Sequence, residues 1–193
     1  MLQKLFKFLI FILTGLGLGY CSAQTAIVYG IGVTAVQNSS WTAWPAAGSP
    51  TADPYTRAHF AYTGELPLAS FEAIIFRAFR DQAGNPLVAN CDYTVEGLPL
   101  DVRWWNFTVY SDDGTLIENP SDRYSFNSDN IVLKADSSFK VTLSQEAQPG
   151  NWIPTGEEDD DFFITFRLFG PGQKITNSLK TVRLPVITRG KCR

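Results

Sequence analysis

The hydrophobic pattern begins with a long apolar segment at the N-terminus. Residues 8–13 are all large and apolar, and they follow Lys4 and Lys7. Residues 5–26 have the length that a bilayer requires, about 20 residues. Two interpretations stay open: an uncleaved signal-anchor with its lysines in the cytoplasm, or a signal peptide cleaved after Ala23. Both export the remainder of the chain.

One helix is predicted shortly after this segment. Asp53 suits an N-cap, Pro54 suits the first helical position, and Gly64 suits the C-terminal cap. Between the caps, one face at helical spacing is formed by Tyr55, Ala58, His59 and Tyr62. We therefore interpret His59 as a packed or surface helix residue rather than as a catalytic base.

Beyond residue 70 the pattern changes to short strands separated by turns. The clearest strand places Trp105, Phe107 and Val109 on one face. Trp104 and Tyr110 lie on its other face, so both faces are expected to meet protein. Strands that recur about every 10 residues predict an antiparallel β-sandwich, jelly-roll-like in form. The predicted strands are residues 71–80, 91–95, 103–110, 131–134, 139–145, 162–169 and 182–188.

Length and composition favour a single exported domain. Residues 1–33 form the signal-anchor or signal peptide, and residues 34–193 form one β-sandwich domain. Of the 193 residues, 45% are hydrophobic and 18% are charged, which excludes global disorder.

The chain is poor in residues for metal or triad chemistry. It has one His and three Cys, whereas a structural zinc needs four N or S ligands. His59 is the one histidine that could act as a triad base. A net charge of -3 argues against a nucleic-acid partner. We predict no metal, no cofactor and no catalytic constellation.

Cysteine usage agrees with export. Cys91 and Cys192 lie outside the apolar segment, and an even pair in an oxidising compartment indicates a disulfide. The alternative is two free buried thiols. The acidic run at residues 157–161 is interpreted as a solvated loop, with a Ca²⁺ site as the alternative.

Several aromatic and arginine residues depart from a purely structural pattern. Trp, Tyr and Arg are the residue types that anchor binding surfaces. The alternative is that the Trp residues are core and the Arg residues cap strand carbonyls or form ion pairs. The candidate ligand-binding residues are Arg103, Trp104, Arg123, Tyr124, Trp152 and Arg167.

The same residues belong to motifs that occur in a fixed order. These are Arg103-Trp104-Trp105, Asp113-Gly114, Asn119-Pro120-x-x-Arg123-Tyr124-Ser125, Asn151-Trp152-x-Pro154 and Arg167-Leu168-Phe169-Gly170-Pro171. Together with motifs on either side they resemble the bacterial domain-of-unknown-function 1214 family, in its short, membrane-anchored branch. The resemblance covers about residues 38–193. It implies a jelly-roll-like β-sandwich, a possible partner of the domain-of-unknown-function 1254 family, and no established reaction.

These features lead to two functional expectations. The first is a binding or interaction module that is tethered to the inner membrane by its N-terminal helix and lies in the periplasm, or is secreted there if the signal is cleaved. The second is an enzyme in the cell envelope that acts on a polymer or small organic compound. In that case Arg123 or Arg167 would hold an anionic group, and Asp122 or His59 would serve as acid or base.

Overall fold

The N-terminal apolar segment forms one long helix, α1 (Leu2–Tyr29). The computed structural model describes residues 2–30, 34–156 and 160–193. Residues Gln3–Tyr29 are long and apolar enough to cross a membrane, with a mean hydropathy of 1.7, and a signal sequence meets the same criteria. Part of the predicted segment 1–33, namely Met1 and residues 31–33, lies outside the described residues.

The second helix, α2 (Pro54–Thr63), begins and ends where the capping residues predict. The Asp53 carboxylate accepts hydrogen bonds from the backbone N–H groups of Tyr55 and Thr56, which would otherwise be unpaired in the first turn. Gly64 closes the helix in the left-handed conformation, at φ 70°. A short third helix, α3 (Gln173–Thr176), follows the longest strands.

The remainder of the described chain is organised by ten strands in two sheets. The larger sheet has the order β1-β2-β3-β9-β5-β6, and the smaller has the order β10-β4-β7-β8. The strands are β1 (Val36–Asn38), β2 (Trp41–Ala43), β3 (Ala73–Ala78), β4 (Cys91–Gly97), β5 (Val102–Ser111), β6 (Ser125–Asn127), β7 (Phe139–Leu143), β8 (Asn151–Ile153), β9 (Phe162–Pro171) and β10 (Val186–Cys192).

The two sheets enclose one hydrophobic core, which confirms the predicted mainly β sandwich. Trp105 of β5 stacks on Phe139 of β7, with ring centroids 4.9 Å apart, and also contacts Phe166 of β9. Tyr93 of β4 meets Phe162 of β9 edge to face at 5.5 Å. All pairs in both sheets are antiparallel except β7 with β8, which is parallel.

Several strand boundaries differ from the sequence prediction. Residues 131–134 were expected to form a strand, but they contribute only an isolated bridge from Leu133 to Phe139. The C-terminal strand is shifted toward the end of the chain, at Val186–Cys192. The three-residue strands β1, β2, β6 and β8 were not predicted, because three residues carry too little alternation to register as a pattern.

The structure contains the disulfide between Cys91 and Cys192, which lie opposite each other on β4 and β10. Cys21 is exposed on α1 and is not bonded to another cysteine. The acidic run falls partly outside the described residues, since residues 157–159 are not among them. Its interpretation as a loop or a Ca²⁺ site therefore stays a prediction.

Candidate functional site

The candidate site lies on the outer face of the larger sheet, away from the core. Strands β5 and β9 pair antiparallel, and their inward side chains, such as Phe107 and Phe166, belong to the core. The alternate side chains point away from it. We call this surface the outer face; it consists of Trp104, Asn106, Thr108 and Tyr110 on β5 and Phe163, Thr165, Arg167 and Phe169 on β9.

Arg167 is held at the centre of the outer face by two hydroxyl groups. Its Nη1 donates to Thr165 Oγ1 at 2.8 Å, and its Nη2 donates to the Tyr110 hydroxyl at 3.1 Å. The guanidinium carbon lies 5.3 Å from the centroid of the Tyr110 ring. Arg167 is half-buried, and the ion pairs among the described residues all involve other basic side chains. The outer face therefore presents a positioned positive charge without a carboxylate partner in the described part of the chain.

Aromatic side chains flank Arg167 on both sides along the strands. On one side Phe163 stacks on Tyr110 at 5.5 Å and on Phe79 at 5.1 Å. On the other side Trp104 contacts Phe169 at 5.2 Å. Phe79 is 51% exposed, so this aromatic row reaches solvent. A guanidinium between aromatic surfaces can bind a carboxylate together with a neighbouring apolar or planar group.

Trp104 has a polar partner as well. Its Nε1 donates to Asp129 Oδ2 at 2.9 Å, which links the outer face to the loop after β6. The ring is half-buried and keeps part of its surface in solvent. Trp104 thus fits a contact residue with one apolar face and one anchored edge.

Arg123 and Trp152 lie elsewhere, where the edges of the two sheets meet. The Arg123 guanidinium carbon is 5.6 Å from the centroid of the Trp152 ring, and Nη1 donates to the Trp152 carbonyl at 3.4 Å. Trp152 is buried, and its Nε1 donates to the Ser144 carbonyl at 2.9 Å. The pair joins the segment before β6 to β8 across the opening of the sandwich. These contacts account for both residues as structural elements.

Tyr124 lines a solvent-open groove beside this pair. The groove has a volume of about 550 Å³ and is lined by residues 121–126, with Asn151 among its other walls. The Tyr124 hydroxyl donates to Asp122 Oδ1 at 3.3 Å. Desolvation and this carboxylate raise the pKa of Tyr124. Asp122 itself adopts the left-handed conformation, at φ 47°.

Arg103 lies at a third place, on the exposed rim beside Gly170. The six candidate residues are therefore distributed over three regions: Trp104 and Arg167 on the outer face, a second group at the sandwich edge, and Arg103 on the rim. Sequence reasoning did not name Tyr110 as a site residue, although it placed Tyr110 on the same face as Trp104. The signal that could have found Tyr110 is that shared alternation.

His59 and Asp122, the alternative acid and base, have different surroundings. His59 Nδ1 donates to the carbonyl of Ile27 in α1 at 2.7 Å, and its ring stacks on Trp44 at 4.1 Å. Burial lowers the pKa of His59, the hydrogen bond to Ile27 opposes this shift, and the charge of Arg77 adds to it. Asp122 contacts Tyr124 at the sandwich edge. Across residues 2–30, 34–156 and 160–193, no group of three His, Cys, Asp or Glu side chains could hold a metal ion.

The fold and the outer face define a two-sheet β-sandwich domain that follows a long apolar helix. The family described as "Protein of unknown function (DUF1214)" matches residues 72–173, which is more than half of the chain, and the chain belongs to this family. The family match includes β3, β5 and β9, and thus the whole outer face.

Two solved structures are similar to this chain. The VPA0106 protein of Vibrio parahaemolyticus is 21% identical, with a TM-score of 0.60 over 73% of this chain and 36% of that chain. An uncharacterized protein of Burkholderia cenocepacia is 15% identical, with a TM-score of 0.46 over 93% of this chain and 42% of that chain. The chain thus spans well under half the length of each. The Vibrio structure supports the fold alone, and no curated protein matches the chain.

Proposed function

We propose that this chain is a binding module of the bacterial cell envelope, tethered to the inner membrane by α1 with its sandwich in the periplasm. The length and apolar character of α1 support the tether. The disulfide between Cys91 and Cys192 supports an oxidising compartment. The outer face is the proposed binding surface.

The observation that carries this proposal is the position of Arg167. The side chain is half-buried and fixed by the hydroxyls of Thr165 and Tyr110, with aromatic rings on both sides. A buried charge costs free energy unless it is paired. A carboxylate supplied by a partner would complete its environment with a bidentate ion pair.

The partner in this proposal is a protein with an exposed acidic residue beside apolar side chains. None of the cavities described for the structure is lined by Arg167, and small-molecule sites are normally concave. A broad sheet surface rich in Trp, Tyr and Arg instead resembles the centre of a protein interface. We propose a protein of the domain-of-unknown-function 1254 family as this partner.

The test compares Arg167→Ala with Arg183→Ala, since Arg183 is an exposed arginine in the segment between α3 and β10, outside the two strands that form the outer face. The full-length protein is purified from solubilised envelope, and co-purifying proteins are quantified by mass spectrometry. Arg167→Ala should lose the partner at least about tenfold, because a charge-assisted bidentate contact typically contributes more than 1.4 kcal/mol. Arg183→Ala should retain it. Equal recovery with both variants would contradict binding at the outer face.

The tether is tested by the mass of the mature protein. A signal-anchor leaves Met1 or the adjacent residue at the N-terminus, and the protein then resists extraction from membranes by alkaline carbonate. A mature N-terminus at Gln24 with release into the soluble fraction would contradict the tether. The binding proposal would then depend only on the comparison of Arg167→Ala with Arg183→Ala.

A further inference from the structure

Outside α1, exposed large apolar side chains are most frequent in α2 and the segment that follows it. Leu66 is 95% exposed, Phe71 is 73% exposed and Tyr62 is 65% exposed. Tyr55, near the start of α2, is also exposed. Scattered surface apolar residues need no explanation, but a group of this density within one short segment indicates a surface that is covered in use.

This segment is held against the end of α1. His59 Nδ1 donates to the Ile27 carbonyl at 2.7 Å, and residues 23–28 of α1 are mostly half-buried rather than exposed. Tyr55 and Tyr62 lie four residues before and three residues after His59, so they share its helix face. The two exposed tyrosines therefore lie beside α1, near its C-terminal end.

Helix geometry places this contact at the surface of the bilayer. Lys7 is the last charged residue before Asp53. From Lys7 to Ile27 an α-helix rises about 30 Å, at about 1.5 Å per residue. The hydrocarbon core of a bilayer is also about 30 Å thick. If Lys7 marks one boundary of the core, Ile27 and the attached His59 mark the other.

We infer that α2 and residues 64–71 rest on the outer leaflet of the bilayer that α1 crosses, with Tyr62, Leu66 and Phe71 in the interface. This inference rests on the membrane tether of the proposed function. Tyrosine prefers the headgroup level because its ring is apolar and its hydroxyl is polar. Leu66 and Phe71 suit the boundary between headgroups and acyl chains. The occupant of this surface is thus lipid. Contact with lipid here would hold the sandwich in a fixed orientation on the membrane.

The experiment measures the depth of single fluorescent probes in the full-length chain. Cys21→Ser removes the free thiol, and one cysteine is introduced at a time as Leu66→Cys or Phe71→Cys, with the native disulfide closed. The proteins are labelled with an environment-sensitive dye and reconstituted in vesicles of phosphatidylethanolamine and phosphatidylglycerol that contain nitroxide lipids. Phe11→Cys reports on the tether, and Val132→Cys, at 66% exposure, is the matched control on the sandwich.

We expect a nitroxide near the headgroup to quench probes 66 and 71 at least twofold and probe 132 not at all. A nitroxide on the part of the acyl chain near the headgroup should quench probe 11, which lies about 6 Å inside the core if Lys7 marks its boundary. Quenching of probe 11 without quenching of probes 66 and 71 overturns this inference and leaves the tether intact. Absence of quenching at all four positions overturns both. A blue shift at 66 and 71 without quenching by lipid nitroxide means that protein, such as a second copy, covers the surface, and this also overturns the inference.

Discussion

Opening the disulfide should destabilise the sandwich mainly through its unfolded state. Cys91 begins β4 and Cys192 ends β10, so the bond closes a loop with a sequence separation of 101 residues. Strand β10 also has native contacts apart from this bond. Ile187 is fully buried in the core, and Arg189 forms an ion pair with Asp81 at 3.1 Å. The double variant Cys91→Ala/Cys192→Ala should therefore fold to the same structure.

The size of the effect follows from the loop length. In the chain-entropy treatment, a closed loop of about 100 residues lowers the free energy of the folded state relative to the unfolded state by about 4.7 kcal/mol. For a chain of this size each kcal/mol corresponds to about 2–4 °C in Tm. The double variant should therefore melt about 10–20 °C below the native protein. Because Cys91 is 2% exposed, alanine is a better replacement than serine, which would bury a hydroxyl.

The assays are thermal unfolding, which gives the shift in Tm, and urea unfolding of the full-length chain in detergent, both followed by tryptophan fluorescence. Cys21→Ala is the control, since this exposed thiol on α1 is not bonded and its replacement should leave the urea midpoint unchanged. Reductant should lower the midpoint of the native protein and should not affect the double variant. If the double variant unfolds at the native midpoint, the bond contributes nothing to stability and the reasoning from loop closure is wrong.

Three further changes test the packing of the domain. Trp152→Ala should lower the free energy of unfolding by about 3–5 kcal/mol, because it leaves a cavity at a buried site and removes the indole donor of the Ser144 carbonyl. An unchanged Tm would refute a structural role of Trp152. Burial lowers the pKa of His59, so the folded state resists protonation. The free energy of unfolding should therefore have its full value above about pH 6.5 and should fall as the pH decreases below that value. A urea midpoint that stays constant between about pH 7 and 5 would contradict this. Gly97→Ala would place a Cβ against the ring of Phe139 and should lower the free energy of unfolding by about 1–3 kcal/mol. Phe139→Leu in the same chain should recover part of this loss in a double-mutant cycle.

The elements that the sequence predicted well are those with local signals. Asp53 and Gly64 define the ends of α2 through contacts within a few residues. The alternation in β5 placed Trp105 and Trp104 on opposite faces, and the structure confirms this, with Trp105 on the side of the core. In both cases the information lies in neighbouring residues, so no knowledge of the tertiary structure was needed.

The elements that were missed depend on residues distant in sequence. Strand β8 pairs in parallel with β7, and Asn151 fixes it there by donating to the carbonyls of Val132 and Lys140 at 2.8 and 2.9 Å. Asn151 also accepts a hydrogen bond from the N–H of Val132. Val132 belongs to residues 131–134, which were predicted as a strand, and its backbone groups thus bond to a side chain instead of a strand partner. No periodicity of polar and apolar residues can show this.

The same limit applies to the candidate site. Arg123 and Trp152 are 29 residues apart and meet at the sandwich edge, whereas Arg103 and Trp104 are adjacent and lie in different regions. Arg123 and Trp152 meet because the edges of the two sheets come together, which no local pattern shows, whereas the alternation of side chains along β5 separates Arg103 from Trp104. Sequence reasoning could therefore name the residue types suited to binding but could not sort them into one surface.

A comparison of the charge partners of the buried and half-buried arginines helps to distinguish structural residues from candidate binding residues. Arg77 is buried and pairs with Glu65, and Arg189 pairs with the buried Asp81. Within the described parts of the chain, the two arginines other than Arg167 that are buried or half-buried are thus matched by carboxylates, as the cost of burying a charge requires. Arg167 is half-buried on the outer face and is matched only by two hydroxyls. Because hydroxyls orient a guanidinium without neutralising it, the unmatched charge distinguishes Arg167 from these two arginines, and for this reason we propose that a partner's anionic group binds there.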